Sequence, residues 1–112
     1  VAIQYNSNYH ETIPFSDTDY QIGLQANSEQ SFTVPGTDTT QYQALFSFNS
    51  TANVFVCLNS VPSIPPLGTV GTQQYNEFRP CKRYVKGGDV IHLITPDTSA
   101  YVGVSLRQLQ GS

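Results

Sequence analysis

The side chains in this sequence best suited to chemistry are a lysine beside two glycines, two histidines, two cysteines and a scatter of carboxylates. Lys86-Gly87-Gly88-Asp89 has the composition of a phosphate-cradling turn. Such a loop needs Gly-x-x-x-x-Gly-Lys followed by Ser or Thr, after a strand and before a helix, so that amides and a helix terminus converge on the phosphate. Here the lysine precedes the glycines, and the β-type run "DVIHLITP" follows them. The Gly-x-Gly-x-x-Gly dinucleotide fingerprint is absent as well. The pair instead predicts a tight hairpin joining 82–86 to 89–95, since glycine accepts the positive φ of such turns and Asp89 can satisfy a local amide.

His92 lies mid-run in "VIHLI", which predicts a ring hydrogen-bonded in the core or at a subunit contact rather than a base or ligand. His10, the other histidine, lies in the polar N-terminal segment. A type 1 copper site needs two histidines, a cysteine and commonly a methionine, and this chain has no Met and no His near Cys81. Cys57 and Cys81 lack Cys-x-x-Cys spacing. Cys57, inside the apolar run 54–58, reads as a buried free thiol, with a disulfide to Cys81 as the alternative. No Gly-x-Ser-x-Gly elbow is present, and most carboxylates fall at predicted turns, where Asp17 and Asp19 read as capping or turn residues. The sequence predicts no catalytic residue, no cofactor and no metal site. Asn49-Ser50-Thr51 matches the N-glycosylation pattern at a predicted turn, which matters only in a secreted eukaryotic chain.

Any such residues would have to be positioned by strands. No segment of helical length carries apolar residues at helical spacing; short runs rich in Val, Ile, Phe, Tyr and Thr alternate with Gly, Pro, Asn and Asp. Strands are predicted over 20–26, 30–35, 42–49, 53–59, 82–86, 89–96 and 101–109. About seven in one chain of 112 residues imply an all-β, compact antiparallel β-sandwich or barrel. The predicted organisation is an extended N-terminal arm or tail over 1–19 and a single β domain over 20–112. Alternation sets Ala44, Phe46 and Phe48 inward against Leu45 and Ser47, and Val102, Val104 and Leu106 inward against Gly103 and Ser105. The runs 54–58 and 90–94 are apolar on both faces apart from His92, so a second cover is required. That cover is either the proline-rich segment 60–80, too long for an ordinary connection, or a neighbouring subunit.

Charged residues make up only 12% of the chain and the net charge is −3, which argues against wholesale nucleic-acid binding. Four of the five basic residues nevertheless cluster, at Arg79, Lys82, Arg83 and Lys86. They form either a charge-protected sheet edge or a docking patch for an acidic partner. In the arm, Tyr5, Tyr9 and Phe15 are candidate anchors on a partner, a frayed tail being the alternative. No apolar run approaches the roughly 18 residues of a membrane span, so no membrane partner is expected. The chain begins at Val1, as after removal of an initiator methionine in the cytoplasm or trimming of a secreted chain.

With "SFTVPGTDTTQYQALFSFNSTANVFVCLN", a proline loop and then "FRPCKRYVKGGDVIHLITPDTSAYVGVSL", the chain resembles small virion structural proteins of tailed bacteriophages, in particular head decoration or cement proteins. The likeness covers most of residues 30–107 and is one of texture and of the "RYVKGGDVIHLIT…AYVGVSL" ending. It implies a non-enzymatic homotrimer on the capsid exterior, assembled in the host cytoplasm, that binds and stabilises the lattice of the major capsid protein. The rival expectation is a receptor- or glycan-binding β module of tail-fibre or lectin type, presenting tyrosine faces and Asn/Gln amides.

Overall fold

The computed structural model describes residues 15–109. Tyr5, Tyr9 and His10, and with them most of the predicted arm, lie outside the described residues. Eight strands follow one another: β1 (Thr18–Gln25), β2 (Gln30–Thr33), β3 (Gln41–Phe48), β4 (Phe55–Leu58), β5 (Asn76–Phe78), β6 (Lys82–Lys86), β7 (Val90–Ile94) and β8 (Ser99–Gln108). They build two four-stranded sheets, ordered β1-β8-β3-β6 and β2-β7-β4-β5, in which every pairing is antiparallel. The all-β sandwich is thus the fold. Its additional strand, β5, falls inside the segment read as a loop, because three residues, Asn-Glu-Phe, are too short for any period to show.

The pairings obey one rule. β1 pairs with β8, β2 with β7, β3 with β6 and β4 with β5, so the chain is a single long hairpin whose tip is the 59–75 loop. Rolled up, that ribbon closes on itself through β3 against β8 and β4 against β7. This is the jelly-roll wrapping. Alternation puts Tyr42 and Ala44 of β3, Val102, Val104 and Leu106 of β8, Val56 of β4 and Ile91 and Leu93 of β7 into one buried core, which Phe46 and Phe48 flank. Burying each large aliphatic side chain contributes about 1.5–3 kcal/mol.

A rolled ribbon must bend both of its strands at the same place, and the bends are bonded to each other. Where β1 turns into β2 and β7 into β8, the Asn27 amide donates to Thr95 O at 2.8 Å. Where β3 turns into β4 and β5 into β6, Phe46 N donates to Cys81 O at 2.8 Å and Arg79 N to Val54 O at 3.0 Å. The third double corner contains the glycine pair. Gly87 N donates to Thr40 O at 2.8 Å, Gly88 N to Val34 O at 2.9 Å and Val34 N to Asp89 O at 2.8 Å.

The Gly-Gly turn is therefore not a hairpin. Its φ of 91° at Gly88 and the bond from Asp89 N to Lys86 O at 3.1 Å make it a type II turn, with the positive φ the sequence predicts. Its flanking strands, however, lie in different sheets, β6 beside β3 and β7 beside β2 and β4. A hairpin and a sheet-to-sheet corner use the same local chemistry, and only the distant partners, Val34 and Thr40, distinguish them. Gly87 is required by the facing β2-to-β3 connection: a Cβ there would stand 2.2 Å from Thr37 O and 2.5 Å from the Gly36 carbonyl carbon. Asp89, buried behind the turn, accepts from Lys86 N at 3.0 Å, Lys86 Nζ at 3.3 Å and Asn59 Nδ2 at 3.2 Å.

The second cover for β4 is the loop. Cys57 is fully buried on the outer face, with its Sγ 3.0 Å from Ser60 Oγ and 3.6 Å from Gln73 Nε2. It is a free thiol, as is the exposed Cys81. On the outer face of β7, His92 meets the Glu29 carboxylate through Nδ1 and is only partly buried.

Two outcomes are expected. Gly87→Ala should lower the urea-unfolding free energy by about 1–3 kcal/mol, the usual cost of overpacking that forces backbone to move. Burial pushes the Asp89 carboxyl up, but the Lys86 amide, Asn59 and the Lys86 ammonium outweigh it and hold it below its ordinary 3.8. A carboxyl lowered on folding stabilises above its unfolded value, and that contribution is lost as pH falls through the folded one. Urea titrations between neutral pH and pH ~2 should show a smaller acid loss in Asp89→Asn than in the parent.

Candidate functional site

Each sheet has two edges, and the sandwich closes its sides differently. At the β1/β2 side, Tyr20 and Phe32 point inward and stack with ring centroids 4.1 Å apart. At the β5/β6 side, Glu77 stands opposite Val56 and Arg83 opposite Ala44, so both point into the gap between the sheets. They meet there as an ion pair, each side chain 46% exposed. Hydrogen bonding to Glu77 holds the Arg83 guanidinium still more firmly protonated. Exposed pairs of this kind contribute about 0–1 kcal/mol, whereas stacked rings add about 0.5–1.5 kcal/mol beyond the area they bury.

Behind the ion pair lies a cleft of about 240 Å3. Phe46, Val56, Leu58, Val85 and Ile91 form its apolar walls, and Tyr75, Tyr84 and Cys57 also line it. The cleft is the product of geometry: β5 is three residues long, so one sheet stops short and leaves its partner's inner face uncovered.

The predicted basic cluster is divided by the fold. Arg79 sits on the β5-to-β6 corner with φ of 49°, its guanidinium 5.1 Å from the Phe48 ring centroid and donating to the Ala52 and Asn49 carbonyls. Its work is to tie one double corner. Arg83 closes the open side, and Lys86 pairs with Asp89. Lys82 is exposed opposite Leu45 and has no ion pair among the described residues. Phe15 is 98% exposed. Sequence reasoning missed Tyr75, Tyr84 and Glu77. For Tyr84 a signal existed, because alternation in "KRYVK" puts Lys82, Tyr84 and Lys86 on one face against Arg83 and Val85. Glu77 had none, its partner being set by the meeting of two sheets.

Two other surfaces stand out. The loop at the ribbon's tip is tied by Gln73 Nε2 donating to Val61 O at 2.7 Å, and it exposes Val61, Leu67 and Val70. On the outer face of the β1-β8-β3-β6 sheet, Gly23 leaves room for the exposed Tyr101 ring, beside Gln21, Ser47 and Asn49. Asn49, the glycosylation-pattern residue, uses its Oδ1 to accept from the Tyr101 amide at 2.9 Å. Among the described residues no group of three or more His, Cys, Asp and Glu side chains could hold a metal ion. Comparison with protein-family models, with curated proteins and with solved structures finds no match to this chain.

The two sides should differ in strength. Phe32→Ala should cost about 2–4 kcal/mol, toward the lower part of the range for buried rings because Phe32 is only partly buried. Glu77→Gln should cost less than about 1 kcal/mol. Chemical denaturation of both variants, with amide exchange at Asn76–Phe78 as a local reporter, checks the contrast.

Proposed function

We propose that this chain is a non-enzymatic virion structural protein of the capsid-decoration type, which docks on the lattice of a major capsid protein from outside and stabilises it. The observation that carries the reading is the loop at the ribbon's tip. Val61, Leu67 and Val70 stand in solvent on a segment stiffened by Pro62, Pro65 and Pro66. Aliphatic groups held out on a stiff loop gain by burial against protein, and little ordering entropy is lost when they dock. Jelly rolls serve both viral capsids and lectins, so the wrapping agrees with the resemblance without selecting it.

Binding that favours the assembled lattice stabilises it by RT ln(1 + [L]/Kd), about 2.7 kcal/mol per site at ~100 times Kd. A homotrimer is the assembly we propose. The loop covers Cys57 from within the chain, so β4 offers the trimer no uncovered face, and the proposal of a trimer rests on the resemblance. Light scattering should then give a mass near three times 12.3 kDa.

In co-sedimentation with expanded heads of the phage that encodes it, the protein should pellet with the heads. The double variant Leu67→Asp with Val70→Asp should bind at least about tenfold more weakly, a loss of ~1.4 kcal/mol. Its melting temperature should stay unchanged, because both side chains are exposed. Failure of the parent to sediment with heads, or equal binding of the variant, overturns the reading.

The second reading, a glycan-binding module, is favoured by Tyr101 on its flat polar face beside Gln21, Ser47 and Asn49. A Tyr101→Ala variant that loses binding to a saccharide array, with the loop variant unaffected, would support it in place of the first.

A further inference from the structure

The free edge of β6 carries features that the fold does not use. In an antiparallel ladder, alternate residues direct their amide and carbonyl to one neighbour and the next residues to the other side. The bonds from Phe46 N to Cys81 O and from Gly87 N to Thr40 O fix the alternation, so residues 81, 83, 85 and 87 face β3. Lys82, Tyr84 and Lys86 therefore face outward. Both main-chain groups of Lys86 are held by Asp89, at 3.0 and 3.1 Å, and Lys82 O accepts from Arg83 Nη1 at 2.5 Å. Among the described residues, Tyr84 is left with its amide and carbonyl open in the middle of the edge.

We propose that this edge is a docking groove for an extended acidic segment of a partner protein. The segment bonds its main chain to Tyr84 and inserts one apolar side chain into the cleft between the sheets. The inference rests on the protein-docking reading above and names a surface for it, separate from the loop.

Three physical facts select that occupant. Open main-chain groups on an edge strand recognise an extended peptide, and side-chain pockets beside them supply specificity. The cleft walls are apolar, with Phe46, Val56, Leu58 and Ile91 as the floor, and its volume of about 240 Å3 suits one large side chain rather than a cofactor. The charge is net positive: Lys82, Arg83 and Lys86 are offset only by Glu77, paired with Arg83, and Asp89, paired with Lys86, so Lys82 is the cation left without an ion pair among the described residues. An incoming carboxylate can replace Glu77 on the guanidinium at little cost, since the pair it displaces is weak. In the antiparallel register centred on Tyr84, a second copy of β6 would set Lys82 against Lys86 at both ends, a destabilising pairing of like charges. The same charges that keep copies apart attract an acidic strand.

The test is a titration of the full-length, 15N-labelled protein with a synthetic peptide, acetyl-Asp-Thr-Glu-Val-Leu-Val-Glu-Thr-Asp-amide, against the same peptide with lysine at every acidic position. The acidic peptide should shift amides of residues 82–86 and of Cys57 and Tyr75, and its affinity should fall between about 0.05 and 0.5 M salt. Tyr84→Pro removes the open amide without touching the β3 ladder and should weaken binding at least about tenfold. Arg83→Glu should do the same through charge. No shifts at millimolar peptide, shifts centred elsewhere, equal binding of the lysine peptide, or parental affinity in both variants overturns the proposal. If both variants still sediment with heads while the peptide binds neither them nor the parent, the groove falls and the loop's docking stands.

Discussion

The constraint on which this molecule depends is that the two strands of a rolled ribbon must bend together. Because each strand of the first half pairs with its counterpart in the second, a bend in one strand alone would break the ladder at that point. The chain meets the requirement with backbone-to-backbone bonds across each double corner. At the tightest of these, Gly87 lies so close to Gly36 and Thr37 that no side chain fits, and Asp89 ties the turn to Asn59 on the far end of β4. Thr95 supplies a further tie: its buried hydroxyl donates to Asn53 O at 2.6 Å, linking the β7-to-β8 corner to the start of β4.

This constraint explains what could be read from the sequence and what could not. The inward residues of β3 and β8 were legible because a half-buried strand writes its burial in a period of two. Cys57 as a buried thiol and the 60–80 segment as a cover were legible for a related reason: an apolar run with no polar face demands a lid. The role of the glycine pair was not legible, since its turn type is local but its partners lie about 50 residues away. Arg83 carried a comparable ambiguity. As one of four clustered cations it read as surface charge, but opposite Ala44 it points into the gap and finds Glu77 from the other sheet. The strand β5 was hidden by its brevity, and with it the cleft that its brevity creates.

The two sides of the sandwich divide stability from recognition. The ring stack at β1 and β2 closes one side with packed apolar area, which persists in salt and acid. The ion pair at β5 and β6 closes the other with an exposed contact that opens at little cost. A fold that needs only one firm side can leave the other available, and the weaker side is where the cleft, the open edge and the basic residues coincide. The exposed aliphatics of the 59–75 loop lie next in the chain to that side, since the loop runs directly into β5.

The 59–75 loop also differs from the other connections between strands. Among the described residues it is the only link that leaves and re-enters the same sheet, so it is free of the double-corner requirement. Its ends are pinned by Ser60 and Gln73 around Cys57, while Gly68 at its middle has open space where a side chain would stand. Lengthening a loop costs only about 0.6 kcal/mol per doubling. The middle of this loop is therefore the natural grafting point of the molecule, where foreign sequence can be carried without disturbing the roll that supports it.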